Sequence, residues 1–109
     1  MEVTREQIEA WKRDYRCEVY EIEVEGYRCY VRSFDRSVMK CVLASLTMQV
    51  SDRGAEIDAG KMLEIGEIGF ENCRLACDEE ILTNDRLYIA VCMQVGALFE
   101  FAQATLKKV

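Results

Sequence analysis

An α+β fold, with an N-terminal helix, a β-hairpin and a mainly α-helical remainder of three to four helices, is predicted by three features of these 109 residues. A capping box opens an apolar stripe at helical spacing within the first sixteen residues. Residues 19–32 then alternate apolar and polar about a Glu-Gly break. From Asp35 onward, apolar residues recur every three or four positions and culminate in Leu87–Ala102, LYIAVCMQVGALFEFA, where only Gln94, Gly96 and Glu100 are not apolar. A helix apolar almost all round has to be buried on more than one side. The length fits a single domain, 1–109, with the helix and hairpin in residues 1–34 and the helical part in 35–109. The absence of proline favours helices joined by short turns.

Each element has its own signal. Thr4 to Gln7 is a T-x-x-Q capping box, and Ile8, Trp11 and Tyr15 form one stripe of a helix ending near Arg16. In the segment that follows, Tyr20, Ile22 and Val24 face one way and Glu21, Glu23 and Glu25 the other, as in a strand with one wet face. After Gly26, Tyr27, Cys29 and Val31 alternate with Arg28, Tyr30 and Arg32. The hairpin so formed places glutamates beside Arg28 and Arg32, where cross-strand ion pairs are expected. Two strands alone are marginal, so helices or a partner's strand must cover them. Asp35 is the expected cap of a second helix running to about Val50, with Val38, Val42 (or Cys41), Leu46 and Val50 on one face. Residues 51–54 read as a loop. Asp58 is the expected cap of a third helix running towards Cys73. Gly66 and Gly69 inside it cost about 1 kcal/mol each relative to Ala, which points to close approach of another backbone. Asp78 is expected to start one further turn, and Thr83 or Asn84 caps a last helix to about Lys107.

The bulk numbers exclude several functions. Twenty acids against fourteen bases give a net charge of −6, and residues 55–80, with eight acids and two bases, account for all of it. Phosphate binding needs clustered Lys and Arg, so no nucleic-acid partner is expected. The densely charged Met1–Arg16 does not resemble a signal peptide, and the longest apolar helix is shorter than the ~18 residues of a spanning helix and carries Glu100. A cytoplasmic protein without membrane contact is expected, its six cysteines reduced.

No catalytic or cofactor-binding residue can be nominated. The chain has no histidine, which removes the commonest general base and metal ligand, and it has no Gly-rich phosphate motif. Cys73 and Cys77, one turn apart on a helix, supply two thiolates where structural zinc needs four ligands. They read as small core residues rather than as a metal site. The last helix is more informative. Leu87, Val91, Val95, Leu98 and Ala102, with Tyr88 and Phe99, form the core stripe. Ile89, Met93, Ala97 and Phe101 form a second apolar ridge, bordering an expected solvent arc of Gly96, Glu100, Gln103 and Lys107. Either the second and third helices cover this ridge or another protein does, and these four residues are the candidate partner-binding site.

The hairpin Val24–Arg32, the Ser33-Phe-Asp-Arg36 entry into a helix, Cys73, the run Cys77-Asp-Glu-Glu-Ile-Leu82, an alanine-rich helix and a terminal Leu106-Lys-Lys108 together resemble the tail assembly chaperones of tailed phages and prophages. The resemblance spans about residues 17–108, with Phe34 standing where the family often has proline. It implies a non-enzymatic cytoplasmic protein that coats the long, helix-rich tail tape-measure protein before tube subunits polymerise around it. It also implies frameshifting near the end of the frame, for which the Lys107-Lys108 codons are the place to look. Two alternatives stand beside it: a homo-oligomeric structural or interaction protein of phage or bacterial origin whose ridge pairs with itself, and a thiol-based redox or metal-binding protein using Cys73 or Cys77.

Overall fold

The computed structural model describes residues 1–45, 50–51, 54–55, 59–99 and 104–109. It is an α+β fold with a three-stranded sheet between an N-terminal helix on one face and a helical layer on the other.

Helix α1, Arg5–Tyr15, starts where the capping box places it: the Thr4 hydroxyl accepts the Gln7 N–H at 3.1 Å. Arg16, left-handed at φ 52°, ends it. Trp11 lies against Tyr30 of the sheet, ring centroids 6.0 Å apart, so α1 packs on the face bearing Tyr30, where Glu21, Glu23 and Arg28 stay about half exposed. Tyr15, expected in the buried stripe, is instead largely exposed, with the Arg32 guanidinium over its ring at 5.2 Å. The cation replaces apolar contact at that end of the helix.

Strands β1, Val19–Val24, and β2, Tyr27–Arg32, pair antiparallel in the register Val24 to Tyr27 through Val19 to Arg32. Glu25 and Gly26 both have positive φ, 49° and 85°, the two-residue turn whose twist matches the strands. Arg28 lies 3.7 Å from Glu21 and 4.0 Å from Glu23, the expected cross-strand pairing. Arg32 does otherwise, reaching forward to Asp35 at 3.1 Å and to the Asn72 carbonyl at 3.2 Å. It thereby ties the sheet to the helical layer.

Helix α2, Arg36–Ser45, is capped by Asp35, whose Oδ1 accepts the Val38 N–H at 2.9 Å. Val38 and Val42 are buried and Cys41 is exposed, which settles that open choice. The helix was expected to reach Val50. Val50 instead begins a short strand, β3, Val50–Ser51, which pairs with β4, Gly54–Ala55; Ser51 and Gly54, expected in a loop, lie in these strands. Leu46 and the Asp58 cap lie outside the described residues.

Helix α3, Ala59–Cys73, leads directly into a strand absent from the sequence reading, β5, Arg74–Cys77, which adds to β2 and makes the sheet order β1-β2-β5. Arg28 fixes this join: its carbonyl accepts the Asp78 N–H at 2.9 Å and its N–H donates to Asp78 Oδ2 at 2.8 Å. Helix α4, Glu79–Thr83, and helix α5, Asp85–Gly96, follow. The main core gathers Cys29 and Val31 from the sheet, Phe70 from α3, Ile81 from α4, and Leu87, Val91, Cys92 and Val95 from α5.

Helices α3 and α5 approach each other closely through their backbones. A Cβ on Gly66 would sit 1.7 Å from the Cys92 carbonyl oxygen, and one on Gly96 2.3 Å from that of Met62. Gly66 therefore has the close backbone neighbour its cost implied. Gly69 does not; its Cβ would meet the Phe34 ring at 2.2 Å.

Candidate functional site

Helix α5 begins at Asn84, whose Oδ1 accepts the N–H groups of Arg86 and Leu87 at 3.0 and 3.3 Å. Of the two candidate caps, Thr83 serves α4, donating its hydroxyl to the Glu79 carbonyl at 3.2 Å. Arg86 makes a two-pronged ion pair with Glu25 of the hairpin turn, which holds Glu25 below its ordinary range and fixes the start of α5 against the β1–β2 turn.

From this anchored start, one arc of α5 faces the core: Leu87, Val91, Cys92, Val95 and Gly96 are buried. Gly96 was expected on the solvent arc. It lies instead on the α3 seam, because only a residue without a side chain lets the Met62 carbonyl approach. The arc away from the core carries Ile89, 46% exposed, the exposed Ala90, Gln94 and Ala97, and the half-buried Met93. Three residues of the predicted ridge, Ile89, Met93 and Ala97, thus share the outward arc. Phe101 lies outside the described residues.

The last helix is also shorter than expected. Periodicity carries it to about Lys107, but it ends at Gly96, and Ala97, Leu98 and Phe99 turn through hydrogen bonds to carbonyls three residues back. The cause is tertiary. Phe99 is 7% exposed in a second core cluster with Val42 and Ile65, its ring 6.4 Å from that of Phe34, and a continuing helix would not deliver it there. Residues 104–109 have no regular structure.

Beside the outward arc of α5 a groove of about 340 Å³ runs along β1, lined by Glu21, Ile22, Glu23 and Val24 on one wall and by Ala90 and Gln94 on the other. The sequence reading missed it. Ala90 and Gln94 carry no chemistry that marks them, and the signal was the unaccounted edge of the hairpin.

The thiols are arranged differently from the helical pair expected. Cys73 ends α3 and Cys77 ends β5, so the two are separated by an extended strand and not by a helical turn. Cys77 is instead the register partner of Cys29. Burial pushes the Cys29 thiol up to about 12 and those of Cys73 and Cys92 up to about 11, and raises that of Cys77. Such groups are protonated near neutrality and are poor nucleophiles. Among the described residues no three His, Cys, Asp or Glu side chains gather as a metal site, and no helix is long and apolar enough to cross a membrane.

Compared with known proteins, the chain matches no family model, no curated protein and no solved structure.

Proposed function

We propose that this chain is a non-enzymatic, cytoplasmic protein-binding subunit of the phage tail assembly chaperone kind, which shields the helical tape-measure protein before the tail tube forms. The observation that supports this most is the outward arc of α5, where Ile89, Ala90, Met93 and Ala97 present an apolar surface on a helix whose other arc is consumed by the core. An amphipathic helix lays its own apolar face along such a surface, anchored at i, i+4 spacing. Met93 suits the role, since its thioether adapts to irregular partners. The net charge of −6 keeps such a subunit soluble while part of its apolar surface stays open.

Co-expression with the tape-measure protein of the same genome tests this. The wild-type chain is expected to co-purify with it. Ile89→Asp and Met93→Asp, which place charge on the outward arc and leave the core untouched, are expected to abolish co-purification with the circular-dichroism spectrum unchanged. Undiminished capture by both variants removes the assignment. Concentration-dependent self-association that the same variants abolish would replace the client helix with a second copy of the chain.

A further inference from the structure

We propose that the free edge of β1 captures an extended segment of a different protein, one alternating basic and apolar residues, as a fourth strand of the sheet. This does not rest on the reading of α5 above, because it concerns main-chain recognition of an extended segment and not docking of a helix.

The edge is open and long enough. Among the described residues β1 pairs with β2 alone. The two-residue turn makes Val24 and Tyr27 a pair that exchanges both hydrogen bonds, and alternation then directs the N–H and C=O of Ile22 and Tyr20 towards β2 as well. The Ser33 N–H to Glu18 carbonyl bond, 2.9 Å, continues that phase. Val19, Glu21 and Glu23 therefore aim their backbone groups outward. Edges are commonly blunted by proline, bulges or shortness, yet β1 has six residues and no proline, and the register shift lies on the far side of β2, between Tyr30 and Val31. There is also room: four consecutive β1 residues line the groove opposite Ala90 and Gln94, so the groove follows the strand.

Charge selects the occupant. Glu21 and Glu23 stand on the same face and both pair with the Arg28 guanidinium, Glu21 also accepting the Tyr30 hydroxyl at 3.3 Å. A second copy added edge to edge about a two-fold axis normal to the sheet sets Glu21 against Glu21, Glu21 against Glu23, or Glu23 against Glu23, according to register. Like charges directly opposite one another destabilise a strand pair, so the edge disfavours its own copy. A segment with Lys or Arg opposite Glu21 and Glu23 reverses that sign. Its alternate apolar residues then fall opposite Ile22 and Val24, on the face where Ala90 borders the groove.

The probe is an N-acetylated, C-amidated octapeptide alternating Lys and Val, compared with its Glu-Val counterpart, on the full isotope-labelled chain. The Lys-Val peptide is expected to bind and to slow hydrogen exchange at the Val19, Glu21 and Glu23 amides, and the Glu-Val peptide to do neither. The double variant Glu21→Lys with Glu23→Lys is expected to invert the preference by about tenfold or more, because two cross-strand pairs change sign. Glu21→Pro, which deletes one outward N–H and no bond to β2, is expected to weaken binding with the hairpin resonances retained. Failure of the Lys-Val peptide to bind, equal binding of both peptides, or a preference unchanged in the double Lys variant overturns the proposal. So does edge protection that appears only on self-association.

Discussion

Gly66→Ala tests the packing on which both candidate surfaces depend. The added Cβ would lie 1.7 Å from the Cys92 carbonyl oxygen, against 3.4 Å where ordinary contact begins, so α3 and α5 must part by about 1.7 Å. Backbone stands on both sides of the contact, so no rotamer relieves it. A radial gap of ~1 Å already forfeits up to half of the dispersion attraction across a seam. The seam carries Phe70, Val91 and Val95, all fully buried. Losing the equivalent of about four buried methylenes there costs roughly 3 kcal/mol. Alanine returns about 1 kcal/mol through helix propensity. The net loss is about 2 kcal/mol, which for a domain of this size lowers Tm by roughly 8–16 °C. Thermal unfolding followed by circular dichroism measures it. An unchanged or raised Tm would mean that propensity dominates, and would refute the close approach of α3 and α5.

Other consequences are as specific. Asp35→Ala should cost about 1 kcal/mol in chemical denaturation as the α2 cap is lost, whereas Asp35→Asn keeps most of it. The Asp35 carboxyl is held low first by the Val38 N–H and then by Arg32, so its contribution is complete above the ordinary value of 3.8 and is lost as pH falls through the lower folded value. Acid titration of stability should accordingly be shallower in Asp35→Asn than in the wild type. Gly26→Ala, at φ +85° with open space around the Cβ, should cost about 1 kcal/mol through backbone conformation alone. In timed alkylation read by mass spectrometry at neutral pH, exposed Cys41 should react first, and Cys29, Cys73 and Cys92 only at the rate of unfolding. Rapid labelling of Cys73 would revive the thiol reading.

The fold was legible wherever local chemistry decides it. Thr4, Asp35 and Asn84 place helix starts through their own side-chain oxygens, and the alternation about Glu25-Gly26 fixes hairpin and register together. What escaped was decided over long range. Strand β5 has four residues and follows a helical pattern without a break, so only its pairing with β2 reveals it. Periodicity alone carried the last helix past Gly96, but burial of Phe99 beside Val42 and Ile65 ends it. At the candidate site, spacing separated Ile89, Met93 and Ala97 from Leu87, Val91 and Val95, yet it put Gly96 on the wrong side, since a glycine gives no apolar signal for the seam it makes possible. The β1 edge was visible only as a hairpin in need of cover.

Methyl NMR decides whether a helical client lies along the outward arc of α5. Signals of Ile89 and Met93 are followed as a helical segment of the tape-measure protein is titrated in. Saturable shifts are expected at Ile89, Met93 and Ala97, with Ile65, Val91 and Val95 unmoved. Binding that leaves Ile89 and Met93 unchanged while shifting methyls elsewhere would contradict it.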